Sequence, residues 1–447
     1  MNGSAVVAGT SSWCRVVSLT TYCLIADRLF LFVISAYLPI SASSTRLVLV
    51  FPNSFVIIRA LVSGHEPSQG DQMLGIRSLA LLAGITLAPP LLAENIVIVQ
   101  VADLSASRAV LGKAMHHGAQ AWFEHVNAQG GINGSRIKFI AYDDQYKVEE
   151  TLRLVRESLQ KDRPVAFLGI LGTANTGELL KHAVLTNAAV PLVAPYTGAD
   201  HLRTPFNAYV FHIRASYGDE IEMMVDQFAR TGFKRLAVFY ENDAFGQAGL
   251  TAFEAATSKR NLKADARAVV ERGAKDLSAA IKVLQDKQPE GIVMATAGSV
   301  SANFLRDLRA AGIHVPVMGY SVNDYANIVK VAGVNNARGT GFTQVMPDPA
   351  HCYRPVCRDF KRIYAQYGPK DESANPNTVE GYIAARVLTE GLRRAGANPS
   401  GQSVMKALEG LRDYDLGDFT ISYSTNNRAG SKYIDIGVLS RDGTLRY

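Results

Sequence analysis

A chain of 447 residues, 48% of them apolar and 19% charged, has material for two hydrophobic cores. It is longer than the length at which one core stops growing, so two lobes behind a leader are expected and a disordered or fibrous chain is excluded. The formal charge of +6 is dispersed among acidic residues, with no basic block and no interleaved aromatics, which removes the usual footprint of nucleic-acid binding.

The apolar stretch from Val16 to Val62 is interrupted by Asp27, Arg28, Pro39, Arg46, Pro52 and Arg59. No clean run of about 20 residues is left for a membrane helix. Residues 1–72 therefore read as a non-native N-terminal extension, with translation starting at Met73; a membrane anchor around Leu29 to Ile40 is the competing reading. Residues 73–93, MLGIRSLALLAGITLAPPLLA, have the three-part layout of a secretory signal peptide: Arg77, an apolar run from Leu79 to Leu87, and the small residue Ala93 before Glu94. No cysteine follows the cleavage point, so a periplasmic protein without a lipid anchor is expected.

From Glu94 the chain repeats a β-branched run, a loop of small or polar residues and an amphipathic helical stretch, the rhythm of parallel sheets covered by helices. NIVIVQVADL leads to a helix near Lys113 to Asn127 and the Gly130-Gly131 turn, then RIKFIAYDDQ; VAFLGI precedes the loop 171–176 and a helix from Glu178 to Leu185; VPLVAP precedes the loop 196–200. After FHIRASYGDE and a helix near Glu220 to Thr231 the rhythm restarts with KRLAVFYE, the loop ENDAFG and a helix near Gly249 to Ser258. ADARAVVE, GIVMATAG with a helix to Ala311, and VPVMGYS with a helix near Tyr325 to Ala332 follow. GTGFTQVMPDP returns the chain to helices Pro355 to Tyr367 and Asn377 to Ala395. The fold class is α/β with two doubly wound parallel-sheet lobes, the first from residues 94–214 plus about 346–412, the second from 215–345 plus about 413–447.

Of four cysteines, Cys352 and Cys357 in HCYRPVC can close a short disulfide loop in an oxidising compartment or stay as two thiols; His351 alone is too little for zinc. The adjacent His116 and His117 point in different directions from a helix and read as a solvated surface.

Ligands of open parallel sheets bind beyond the carboxyl ends of the strands. The loop Gly172-Thr173-Ala174-Asn175-Thr176 offers hydroxyls and backbone N–H groups at a helix start, which suits a carboxylate, and Thr176 also suits an N-cap. Phe245, in Asp243-Ala244-Phe245-Gly246, offers an aromatic wall. The spacing of Gly169, Gly172 and Gly177 is not that of a dinucleotide loop, and Walker, HExxH and GxSxG motifs are missing, so no enzyme, cofactor or metal is expected.

WFEHVNAQGGINGSRIKFIAYDDQ, GILGTANT, VPLVAPYTGADHL, FHIRASYGDE, VFYENDAFGQAGL and VPVMGYS, in that order, resemble the periplasmic solute-binding proteins of ABC transporters of the branched-chain amino acid type, the leucine-binding proteins, from about Glu94 to the end. The resemblance implies a type I periplasmic-binding fold, two lobes joined by three crossovers with a solute between them, and delivery to membrane permease subunits. It implies carboxylate contacts at Gly172, Thr173, Tyr196 and Gly198, a ring over the ligand at Phe245, and a wall at Leu111; Thr197 and Ser299 complete the candidate set. Ser321 stands where amino-acid binders commonly carry an acid for the ligand ammonium. A hydroxyl cannot compensate a buried positive charge, so either Asp219, Asp243 or Asp324 substitutes, or the solute is a carboxylate without an ammonium. The expected function is capture of a small carboxylate-bearing solute by hinge closure for an ABC importer; a ligand-sensing module reporting to a membrane partner is the alternative.

Overall fold

Residues 16–25, 28–37, 45–51, 54–60 and 95–447 are described by the computed structural model. Met1–Leu91 and Leu92–Tyr447 are separate units. In the first unit, Val16–Ile25 pairs with Arg28–Tyr37 and Thr45–Phe51 with Ser54–Ala60, both antiparallel. The competing membrane-anchor reading is therefore a strand over its described part, and among the described residues no helix is long and apolar enough to cross a membrane. The leader expected at 73–93 lies outside the described residues.

The second unit opens with β1 (Ile96–Ala102), buried at all but one position, as a strand covered on both faces must be. With β2 (Ile137–Asp143), β3 (Ala166–Leu168), β4 (Leu192–Val193) and β5 (Val210–Phe211) it forms a sheet in the order β2-β1-β3-β4-β5, parallel throughout. Helices α1 (Ala109–Ala128), α2 (Val148–Lys161) and α3 (Thr173–Lys181) follow the first three strands. The sequence reading does not contain α2, although Val148, Leu152, Val155 and Leu159 recur on one face at helical spacing, a signal that the reading passed over. The start of α3 lies ahead of the expected Glu178 because Gly172, at φ 114°, caps it.

Residues 212–216 cross to the second lobe, where Ser216 and Asp219 form a reciprocal capping box on α4 (Tyr217–Arg230). Strands β6 (Arg235–Glu241), β7 (Lys263–Val270), β8 (Gly291–Ala295), β9 (Val317–Gly319) and β10 (Gly341–Gln344) are parallel, in the order β7-β6-β8-β9-β10. They alternate with α5 (Ala244–Lys259), α6 (Ser278–Lys287), α7 (Ser299–Ala310) and α8 (Tyr325–Ala332). Residues 345–354 then cross to α9 (Pro355–Tyr367), α10 (Pro376–Ala395) and α11 (Gly401–Glu409). α10 lies against α1: Trp122 Nε1 donates to Thr389 Oγ1 at 2.9 Å and its ring meets Tyr382 edge-on at 5.5 Å.

The closing segment, expected wholly with the second lobe, divides. Tyr423 packs edge-on against Phe211 at 5.1 Å, its hydroxyl donates to the His212 carbonyl at 3.1 Å, and Ala429 bridges His212. Residues 414–430 thus pack on the first lobe, and only β11 (Asp435–Leu439) and β12 (Leu445–Arg446) join the second sheet, both antiparallel. The buried rings of Phe419 and Tyr423 need a core, and the first lobe supplies it.

Candidate functional site

The loops beyond the carboxyl ends of both sheets' strands face one cleft, which holds a small, partly open cavity. The first lobe contributes Arg108 and Leu111 after β1, Tyr146 after β2, Leu171, Gly172 and Thr173 after β3, and Tyr196 after β4. Facing them are Tyr217 at the start of α4, Phe245 at the start of α5, Ala297 after β8 and Val322 after β9.

The start of α3 is shaped by Gly172. A side chain there would need a left-handed backbone, and its Cβ would lie 2.4 Å from Asn175 Oδ1 and 2.8 Å from the Tyr146 ring. The first N–H groups of a helix have no partner within it and carry partial positive charge, so the turn beginning at Thr173 presents donors to an anion. Thr173 Oγ1 is held 2.7 Å from Thr197 Oγ1. Burial pushes the Tyr217 hydroxyl up to about 12 and raises those of Tyr146 and Tyr196, so all three stay protonated and neutral. Tyr217 and Phe245 meet edge-on at 5.4 Å and form an aromatic wall.

Arg108 spans the cleft. Asp103 fixes its loop by accepting from the backbone N–H groups of Ser105, Ala106 and Arg108 at 3.1, 2.6 and 2.7 Å. Its side chain, 5% exposed, donates from Nη2 to Glu241 Oε2 at 2.5 Å and from Nη1 to the Ala297 carbonyl, both in the second lobe. Burial opposes the charge, but Glu241, with Tyr146 and Asp243, more than offsets it, and the guanidinium is held above its ordinary value. Burial pushes the Glu241 carboxyl up, with Arg108 opposing.

The profile of the periplasmic binding protein family matches residues 95–444. The chain belongs to this family. Periplasmic binding proteins are solute-binding proteins rather than enzymes, and the type I periplasmic-binding fold, two parallel-sheet lobes linked by three crossovers, is the architecture seen here. A substrate-binding periplasmic protein of Ralstonia solanacearum is 38% identical, covering 78% of this chain and 99% of its own, with a TM-score of 0.75. The Leu/Ile/Val-binding protein homolog 3 of Brucella melitensis biotype 1 is 26% identical over 366 residues, 81% of this chain and 95% of that protein. A branched-chain amino acid ABC transporter protein of Thermus thermophilus, solved with bound valine, shares the fold at 20% identity and a TM-score of 0.72, covering 79% of this chain and 95% of its own.

Within this periplasmic binding fold, Leu111, Gly172, Thr173, Tyr196 and Phe245 come together on the cavity wall. Thr197 and Gly198 stand behind it, Thr197 against Thr173 and Gly198 so close to Tyr217 that a Cβ would lie 2.6 Å from the ring. Two expected residues are elsewhere. Ser299 is exposed at the first position of α7. Ser321 is buried between the lobes, its N–H and hydroxyl donating to Glu220 at 2.9 and 3.1 Å while Arg214 donates to its hydroxyl at 3.1 Å. Glu220 also accepts from Thr343 at 2.5 Å, and Arg214 lies 3.3 Å from Glu380 and stacks over the Tyr196 ring at 4.6 Å. This network is centred on Arg214 in the first crossover, and Val322, the residue after Ser321, is the one that reaches the cavity.

The three acids considered as substitutes are all helix caps. Asp219 accepts from the Ser216 N–H at 3.1 Å, Asp243 from the Gly246 N–H at 3.0 Å, and Asp324 from Ala326 and Asn327 at 3.0 and 3.2 Å. Thr176 lies inside α3 rather than capping it. The sequence reading missed Arg108, Tyr146 and Tyr217; the signal for Arg108 was a lone cation in the loop after the first strand of the repeat. Among the described residues no His, Cys, Asp and Glu cluster could hold a metal. Cys352 and Cys357 form a disulfide, with Cα atoms 5.9 Å apart.

Proposed function

We propose that this chain is the extracytoplasmic solute-binding component of an ABC importer, sent to the periplasm by the segment 73–93, and that it captures a small carboxylate-bearing solute between its lobes for membrane permease subunits. The observation that carries this reading is the cavity between the two sheets' carboxyl ends, with the donor-rich start of α3 on one wall and Tyr217 and Phe245 on the other. The carboxylate is received by Thr173 and the open N–H groups beside it, and the apolar body lies between Leu111 and the rings. The relatives that carry Leu/Ile/Val-binding names, and the valine bound in the Thermus thermophilus protein, support a solute of this size.

Capture proceeds by hinge closure about the crossovers. A solute touching both lobes binds the closed form better than the open one, and that difference alone drives closure. In calorimetry on the full chain, with a solute found by thermal-shift screening of amino, aromatic and aliphatic acids, Thr173→Ala combined with Phe245→Ala is expected to weaken binding on the order of 100-fold while the protein remains cooperatively folded. Unchanged affinity would remove the site from this cavity.

A further inference from the structure

Resting on that reading, we propose that Tyr146 and Arg272 form a clasp that closes over the bound solute, with Arg272 acting through the Tyr146 ring as a positioning residue that slows solute release. Tyr146 belongs to the first lobe, in the loop between β2 and α2, and lines the cavity. Arg272 belongs to the second lobe, in the loop after β7, and its guanidinium lies over that ring, 5.2 Å from the centroid. Arg272 is exposed while Tyr146 is buried, so the pair stands between the solute space and solvent. Among the described residues the Arg272 guanidinium has no hydrogen bond or ion pair, and the ring is what it rests on. Arg108 also approaches the ring, at 5.8 Å, but its Nη groups are taken by Glu241 and the Ala297 carbonyl.

The backbone is bent to bring the ring there. Gln145 and Tyr146 both have left-handed φ, 52° and 60°, a conformation unfavourable for residues with a Cβ and kept where the surroundings over-determine it. Asp143 Oδ1 accepts from the Gln145 N–H at 3.0 Å, and Asp144 Oδ1 accepts from the Tyr146 N–H at 2.8 Å. Asp144 Oδ2 in turn accepts from the Thr151 hydroxyl at 2.5 Å, and Asn175 of α3 donates to that hydroxyl at 2.7 Å. The turn is thereby fixed to the helix start that receives the carboxylate, where Gly172 leaves room for the ring. A ring held on one wall and a cation reaching it from the other meet only when the lobes are together. Their attraction therefore favours the closed form alone and retards the opening that release requires.

Calorimetry on the full chain tests this, with L-leucine, L-phenylalanine, 4-methyl-2-oxopentanoate and benzoate as probes. For the probe that wild type binds best, Arg272→Gln is expected to weaken binding roughly threefold to fivefold, the size of an exposed cation–π contact. The same loss is expected in a Tyr146→Phe background, which keeps the ring, and no loss in a Tyr146→Leu background, which removes it. Arg272→Lys, which keeps the cation, is expected to recover most of the affinity. In stopped-flow fluorescence the loss is expected in the dissociation rate. A loss confined to association shows Arg272 steering the anion from solution and overturns the clasp. So does an Arg272→Gln effect that is absent from wild type or persists undiminished with Tyr146→Leu, and either result leaves the carboxylate reading standing. A wild-type chain that binds none of the probes overturns both.

Discussion

His116 stacks on Phe139 at a centroid distance of 4.9 Å, and its Nδ1 lies 2.9 Å from Gln100 Oε1, an acceptor, so Nδ1 carries the proton. This is not the solvated ring that its place beside His117 suggested, because α1 presses that face onto the sheet; His117, by contrast, pairs outward with Glu372 at 2.7 Å. Burial, with His117 adding to it, lowers the His116 pKa from 6.5 to about 4. A folded value below the unfolded one means that its contribution is complete at neutral pH and is lost as pH falls from about 6.5 towards 4, because the unfolded chain takes up a proton that the folded ring refuses. The contribution is at most about 3 kcal/mol. Asp144, pushed up to about 6 by burial, has the opposite sign: its contribution is present below about 4 and is lost as pH rises through 6. Comparing wild type with His116→Leu isolates the histidine: the stability advantage of wild type, measured by urea unfolding, is expected to shrink between pH 7 and 4.5. A constant difference would show that the ring does not titrate in that window. Residue identity was a weaker guide for Ser321, since a hydroxyl reads the same whether it meets a solute or, as here, Glu220 and Arg214.

Helix α1 and α10 cross with glycines facing each other's backbones. A Cβ on Gly118 would lie 1.9 Å from the Thr378 carbonyl oxygen, and one on Gly381 would lie 2.0 Å from that of Met115. Alanine is the better helix former by about 1 kcal/mol, yet it cannot enter this crossing without pushing the helices apart, a cost of roughly 1–3 kcal/mol or more. Gly118→Ala is therefore expected to lower the urea midpoint in spite of its propensity; a raised midpoint would mean the helices do not approach so closely. Periodicity reveals elements of this kind. The α8 and α9 stretches have the bounds that their amphipathic patterns and flanking Asp324 and Pro355 imply. It fails where a cap begins the helix early, as at Gly172, and α2, whose stripe of Val148, Leu152, Val155 and Leu159 is periodic, was legible but passed over.

The ties between the two lobes include the network of Arg214, Glu220 and Ser321 at the first crossover and, across the cleft, the pair of Arg108 and Glu241 and the stacking of Arg272 over the Tyr146 ring. The pair of Arg108 and Glu241 joins loops on opposite walls and can exist only when the cleft is narrow. Without added solute, Glu241→Gln is expected to enlarge the radius of gyration in small-angle X-ray scattering relative to wild type, by weakening that pair; an equal radius would show that it does not hold the walls together. Two α/β lobes and the loops beyond their strands were legible in the chain, because each β-branched run and its following helix are local patterns with a fixed period. The partner of each side chain was not. Whether residues 414–430 join one lobe or the other, and where the Arg108 guanidinium reaches, depend on groups more than a hundred residues away, and only packing of the whole chain brings them within hydrogen-bond distance.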